Sequence, residues 1–167
     1  WDGLSWSPLG AGVDSLVRIL AVWDGKLIAG GLFITAGNVV ANRIASWDGS
    51  NWSPLGSGMD NFIRDLCLYD GKLIASGLFT IAGGGQANGI AAWDGINWAP
   101  LGTGINGGAR VMTVYDGKLI ASAYGVIYDP INNPNIYLNM IYLWNGIDWS
   151  QLGSGFTGSI STHVYSL

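Results

Sequence analysis

Glutamate is absent from this chain of 167 residues: all eleven acidic side chains are aspartates, and charged residues make up only 11% of the total. Glutamate favours helices whereas aspartate belongs to turns, and an average soluble domain carries about 25% charged residues. The scarcity argues against solvated helix faces and for sheets covered on both sides. Seven basic residues leave a net charge of −4. They form no cluster of the kind that neutralises phosphates, so nucleic acid is not an expected partner. Cysteine occurs once, as Cys67 in an apolar stretch, without a partner for an internal disulfide, and the redox compartment stays undecided. No apolar run approaches the roughly 18 to 20 residues of a membrane span, because glycine interrupts each one. The chain reads as soluble. It begins at Trp1 with neither an initiating Met nor a signal peptide, which reads as a processed product or an excerpt.

What is present is a repeat. WDGLSWSPLGAGV from Trp1 returns as WDGSNWSPLGSGM at Trp47, WDGINWAPLGTGI at Trp93 and WNGIDWSQLGSGF at Trp144, with successive starts 46, 46 and 51 residues apart. Between them stand WDGKLIAGGLF from Trp23, YDGKLIASGLF from Tyr69 and YDGKLIASAYG from Tyr115. With 49% apolar residues the chain can bury a substantial core. Each unit holds four short apolar runs separated by turn residues, too short for helices. In the second unit they predict strand A over Phe62 to Tyr69, B over Lys72 to Phe79, C over Asn88 to Trp93 and D over Asn97 to Leu101. The A–B and C–D connections are Asp-Gly, which suits two-residue hairpins, and this accounts for Asp2, Asp24, Asp48, Asp70, Asp94 and Asp116. Pro8, Pro54 and Pro100 mark strand D as an edge.

A four-stranded meander recurring at about 40 to 50 residues is the pattern of β-propeller blades, with a parallel β-helix the weaker competitor. The expected fold is all-β, with three complete blades plus partial flanking ones. Residues 1–12 end a preceding blade, 13–58, 59–104 and 105–155 form blades 1 to 3, and 156–167 start a following one. Closed propellers need 4 to 8 blades, so a longer array or closure by oligomerisation is expected. DGKL, a small-Gly pair, Asn-x-Ile-Ala-x-Trp-Asp-Gly and Trp-x-x-Leu-Gly-x-Gly together resemble kelch-like propellers. They look closest to the WDG-type repeats of secreted bacterial surface proteins and of the fungal cortical polarity marker family. That resemblance implies an extracellular or surface-displayed binding module without a single shared ligand. The third unit departs from the pattern, with Ser122-Ala123 at the Gly pair and five extra residues between Tyr124 and Asn139, so its B–C loop should differ.

In such a meander the D–A and B–C loops share one end, and recognition is expected there. Arg18, Arg64 and Arg110 recur at the 46-residue spacing near the start of strand A. They could form part of a cationic ring at a channel mouth that takes carboxylate or sulfate. The plainer reading pairs each with Asp14, Asp60 or Asp65, or with loop carbonyls. Tyr124, Tyr128 and Tyr137 in the inserted loop are the further ligand candidates. The paired tryptophans, Trp47 with Trp52 and Trp93 with Trp98, suit blade packing better than sugar stacking. Asn42, Asn88 and Asn139 suit loop anchoring through the local backbone. Asp14, Asp60 and Asn106 make a poor calcium set, because no dense Asp/Asn motif supplies six to eight oxygens. A single histidine, His163, with no activated nucleophile or free carboxylate pair nearby, argues against catalysis; no catalytic residue, metal or cofactor is assigned. The expected function is a non-enzymatic module binding a glycan, peptide or protein. The alternatives are a self-assembling structural array and a non-catalytic part of a larger secreted enzyme.

Overall fold

The computed structural model describes residues 3–129, 133–153 and 156–157, with backbone alone at 125–129, 133–139 and 156–157. The first unit contains β1 (Val17–Trp23), β2 (Lys26–Gly31), β3 (Thr35–Ala36), β4 (Val39–Val40), β5 (Ile44–Trp47) and β6 (Trp52–Pro54). The second repeats it as β7 (Ile63–Tyr69), β8 (Lys72–Gly77), β9 (Ile81–Ala82), β10 (Gly85–Gln86), β11 (Ile90–Trp93) and β12 (Trp98–Pro100). The third has β13 (Ala109–Tyr115), β14 (Lys118–Asp129), β15 (Asn133–Trp144), β16 (Trp149–Gln151) and β17 (Phe156–Thr157). The described residues contain strands and no helix. Each unit is an antiparallel sheet in the order A-B-C-D: β1-β2-β5-β6, β7-β8-β11-β12 and β13-β14-β15-β16, the last with β17 added beside β15. Pro54 and Pro100 lie on the outer strand, where a missing N–H costs no ladder bond.

Two apolar layers separate the three sheets. Ile28 and Ile44 of the first sheet pack with Ile63, Leu66, Leu73 and Ala75 of the second. Ile74 and Ile90 on the opposite face of the second pack with Ala109, Met112, Leu119 and Ala121 of the third. Side chains alternate across a strand, so a sheet covered on both sides needs an uninterrupted apolar run. Leu73, Ile74 and Ala75, all at 0–1% exposure, are that run. A polar clasp ties successive units together. The indole N–H groups of Trp52, Trp98 and Trp149 donate to the carbonyls of Leu9, Leu55 and Leu101, one unit earlier, at 2.9, 2.9 and 3.0 Å. Each of these tryptophans leans on its strand-C partner at centroid distances of 5.3–5.4 Å. Gly56 follows Leu55 because a Cβ there would stand 3.2 Å from the Trp93 ring. The tryptophans therefore serve packing.

Three expectations need correction. The A–B turns are two-residue hairpins with both residues at positive φ, as at Asp70 (50°) and Gly71 (71°). The C–D turns are not. Trp47 pairs directly with Trp52, leaving four residues in the loop, and the Asp48 carboxylate accepts from the Ser50 and Asn51 amides at 2.8 and 2.7 Å. Asp94 and Asn145 repeat the arrangement. An amide oxygen accepts as well as a carboxylate, which explains why WNG can replace WDG. In the first two units the B–C loop is a miniature ribbon, β3 with β4 and β9 with β10. In the third, strands B and C instead run on as one long pair through Ile127 and Ile136. The extra residues build sheet there, so that segment is not the long loop expected. Asp2 and His163 lie outside the described residues.

Replacing Trp98 by Phe removes one clasp and leaves the buried Leu55 carbonyl with only the longer bond from the Gly58 amide. Trp98→Phe should cost about 2–3 kcal/mol, read as a lower urea midpoint at an unchanged slope.

Candidate functional site

Strand A carries the same irregularity in all three sheets. Val17 pairs with Gly31 and Ile19 with Gly30, so Arg18 is an extra residue on the strand. Arg64 is extra between Ile63 and Asp65, and Arg110 between Ala109 and Val111. A bulge redirects the side chain it carries. Here it takes a long cation out of the alternation that fills the apolar layers, at the end of the sheet shared by the D–A and B–C connections.

The three side chains form a row with aromatic rings. The Arg18 and Arg64 guanidinium carbons lie 5.3 and 5.5 Å from the centroid of one ring, Phe62. Arg110 lies 4.2 Å from the centroid of Tyr124. Arg64 also donates to the Gly107 carbonyl at 3.3 Å. Arg18 is exposed, whereas Arg64 and Arg110 are half-buried. Burial, followed by the charges of Arg110 and Arg18, holds the Arg64 guanidinium below its ordinary pKa, with Tyr124 acting the other way. Among the described residues, no carboxylate is one of the groups acting on it. The buried Nε of Arg110 has no hydrogen-bond partner among the described residues. Such a donor is costly to leave unpaired, and an acceptor brought by a ligand would satisfy it.

The carboxylates expected to pair with these arginines are engaged elsewhere. Asp14 accepts from the Ile34 amide at 2.8 Å. Asp60 accepts from the Thr80 and Ile81 amides and the Thr80 hydroxyl at 2.7–2.9 Å. Both thus fasten a D–A loop to the ribbon of its own unit. At Asp14 the Thr35 amide is the largest influence, and the carboxyl is held low. At Asp60 burial opposes the charge but is outweighed by Ile81 and Thr80. Asp65 accepts from the Met112 amide of the next sheet. It is mostly buried, and burial pushes its carboxyl up despite the amides of Met112 and Leu66. Of the contacts in the plainer reading for the arginines, the described residues show the one from Arg64 to the Gly107 carbonyl.

Asn42 and Asn88 reach further than expected. Both take positive φ, 43° and 46°, and their amides donate to Ser57 and Thr103 in the following D–A loop at 3.0 and 2.8 Å. An open recess between the first two ribbons is lined by Asn42, Arg43, Ser57, Asp60 and Ile81. Tyr124 is brought together with Arg110. The side chains of Tyr128, Tyr137 and Asn139 lie outside the described residues. Sequence reading missed Phe62. Its signal was an aromatic at a position held by Leu16 and Gly108 in the other units.

No protein-family model, curated protein or solved structure matches the chain. Among the described residues no helix is long and apolar enough to cross a membrane.

The displaced carboxyls make opposite predictions for pH. Asp14, Asp48, Asp60, Asp94 and Asp148 lie below the ordinary aspartate value. The stability they contribute is full above that value and is lost as pH falls through their folded values. Asp65 lies above it: its ionisation opposes folding, and this cost develops as pH rises from the ordinary value through the raised one. Asp65→Asn should therefore be more stable than the parent at neutral pH, with the difference closing in acid. Thermal melts from pH 3 to 8 would check this, and an Asp65→Asn protein that is less stable at neutral pH would refute it.

Proposed function

We propose that the three sheets are blades of a kelch-like β-propeller of the WDG type. The chain would act outside the cell or on its surface as a non-enzymatic module, binding an anionic glycan, peptide or protein. What carries the reading is the arginine row: three guanidiniums on three equivalent bulges, flanked by Phe62 and Tyr124, with no carboxylate of the described residues among the groups acting on Arg64. Ordinary structural arginines neutralise a nearby acid. These crowd like charges together at a cost, and a bound anion would relieve it. A guanidinium fork fits carboxylate and sulfate bidentately, while the adjacent rings offer faces on which a sugar or an aromatic side chain can lie. The acids in the surrounding loops are held by backbone amides, so they leave the cations available.

The four-stranded meander, stacked face to face with its copies, supports the blade reading, and the repeat resemblance supports the location. The test is a binding screen against sulfated, uronate-containing and neutral oligosaccharides and acidic peptides. The parent is compared with a variant carrying Ser at positions 18, 64 and 110. Binding to acidic probes should weaken with salt and fall at least tenfold in a variant that keeps its tryptophan emission and cooperative melt. Equal binding by the folded variant, or a preference for neutral sugars, would overturn the arginine site.

A further inference from the structure

Arg43 stands in a backbone conformation that suits glycine. Its φ is 77°, and at the equivalent place in the second unit Gly89 has 81°. The main-chain bonds match as well: the amides of Arg43 and Gly89 donate to Phe33 and Phe79 at 2.8 Å, and their carbonyls accept from Gly31 and Gly77 at 3.0 Å. Few residues with a side chain adopt this region, so glycine would serve the fold at least as well at position 43. The guanidinium gives the chain little in return. Among the described residues it makes one hydrogen bond, 3.4 Å long, to the Phe33 carbonyl that the Arg43 amide already uses. A side chain held in an unfavourable conformation without a structural return points to function.

That side chain lines the open recess between the first two ribbons, a space of about 330 Å³. Asp60, from the following D–A loop, lines it too, yet Arg43 is not among the groups acting on the Asp60 carboxyl. Asp60 Oδ1 accepts from two amides, whereas among the described residues Oδ2 accepts from the Thr80 hydroxyl alone and so has a lone pair to spare. The exposed Ser57 hydroxyl can donate or accept, and Ile34 and Ile81 at the wall are 48% and 43% exposed. Between the second and third units the positions of Arg43, Ser57 and Asp60 hold Gly89, Thr103 and Asn106. Across these two gaps cation and carboxylate are present together or absent together, although they do not neutralise one another.

We propose that this recess is a second anion-binding site, separate from the arginine row, which takes a uronate residue of an acidic glycan. The sugar carboxylate meets the Arg43 fork, the ring hydroxyls meet Ser57 and the spare lone pair of Asp60, and the C–H face of the ring lies against the isoleucines. A bare sulfate or phosphate would use the arginine alone, and an acidic peptide would bring a carboxylate without the neighbouring hydroxyls. The site shares no residue with the arginine row, so either can fail without the other.

Amide NMR signals of the full chain, followed during titration with methyl galacturonate, test this at the level of single residues. Signals of Ser57, Asp60 and Ile81 should move. Arg43→Gly is the deciding variant, because it supplies the residue that the backbone prefers. It should melt no lower than the parent, yet the affinity read from those signals should fall roughly tenfold or more, while signals around Arg18 and Arg64 behave as in the parent. Arg43→Lys keeps the charge without the fork and should fall between the two. Any one of four results rules the site out: recess signals that stay still in the parent, undiminished affinity in Arg43→Gly, a melt of Arg43→Gly well below the parent's, or equal affinity for the neutral methyl galactoside or for N-acetyl-aspartate amide.

Discussion

The hydrogen bond from each strand-D tryptophan to the leucine carbonyl one unit earlier is the contact on which the arrangement of sheets depends. Apolar layers between sheets are strong but carry little information about register, because dispersion and hydrophobic burial are non-directional. The clasp supplies the direction. An indole N–H has one orientation, and the Leu55 carbonyl it meets is held in its turn by the Gly58 amide at 3.3 Å, so the bond from Trp98 to Leu55 fixes how far the second sheet slides along the first. The glycine after that leucine is required by the same contact, since the strand-C tryptophan ring occupies the space of its side chain. Tryptophan, leucine and glycine recur together because they are parts of one joint.

With the sheets held in this way, small irregularities become reproducible positions in space. A bulge in an isolated hairpin would move with the hairpin. On strand A of three clasped sheets, it sets three arginines into a row in which Arg64 senses the charges of Arg110 and Arg18. Phe62 serves both Arg18 and Arg64 because it stands immediately before β7, the strand that carries Arg64 and packs beside the one that carries Arg18. In the third unit Gly108 stands at that position, so Arg64 turns to the Gly107 carbonyl and Arg110 uses Tyr124 from its own sheet. The row is thus periodic in its cations and aperiodic in its rings, which is how a repeat array makes one end of a surface chemically distinct from the other.

Much of this was legible in the residues. In the second unit, strands anticipated at Phe62–Tyr69 and Lys72–Phe79 form as Ile63–Tyr69 and Lys72–Gly77, because period and turn chemistry agree there. The two uses of Asp-Gly were not separable by the dipeptide alone. Asp70 takes a positive φ itself, whereas Asp48 uses its side chain to hold a longer turn. What distinguishes them is the pairing of Trp47 with Trp52, a partner relation and not a local preference. The ribbons were missed because two-residue strands carry no periodicity. The bulges were missed because an extra residue is extra only relative to the strand opposite.

The same reasoning explains why the candidate site could be named by its arginines but not by its geometry. Recurrence at 46 residues selects Arg18, Arg64 and Arg110 but cannot say whether acids neutralise them, since Asp14, Asp60 and Asp65 recur or cluster just as near in sequence. Backbone amides decide that question. Asp14 and Asp60 bind ribbon amides and Asp65 a strand amide of the next sheet, so these three acids are committed to holding main chain together. An amide fixed by the fold is a better partner for a carboxylate than a flexible guanidinium that would lose rotamer freedom to reach it. Structural demand for acids thus leaves the cations in excess at one end of the sheets, although the chain as a whole is acidic.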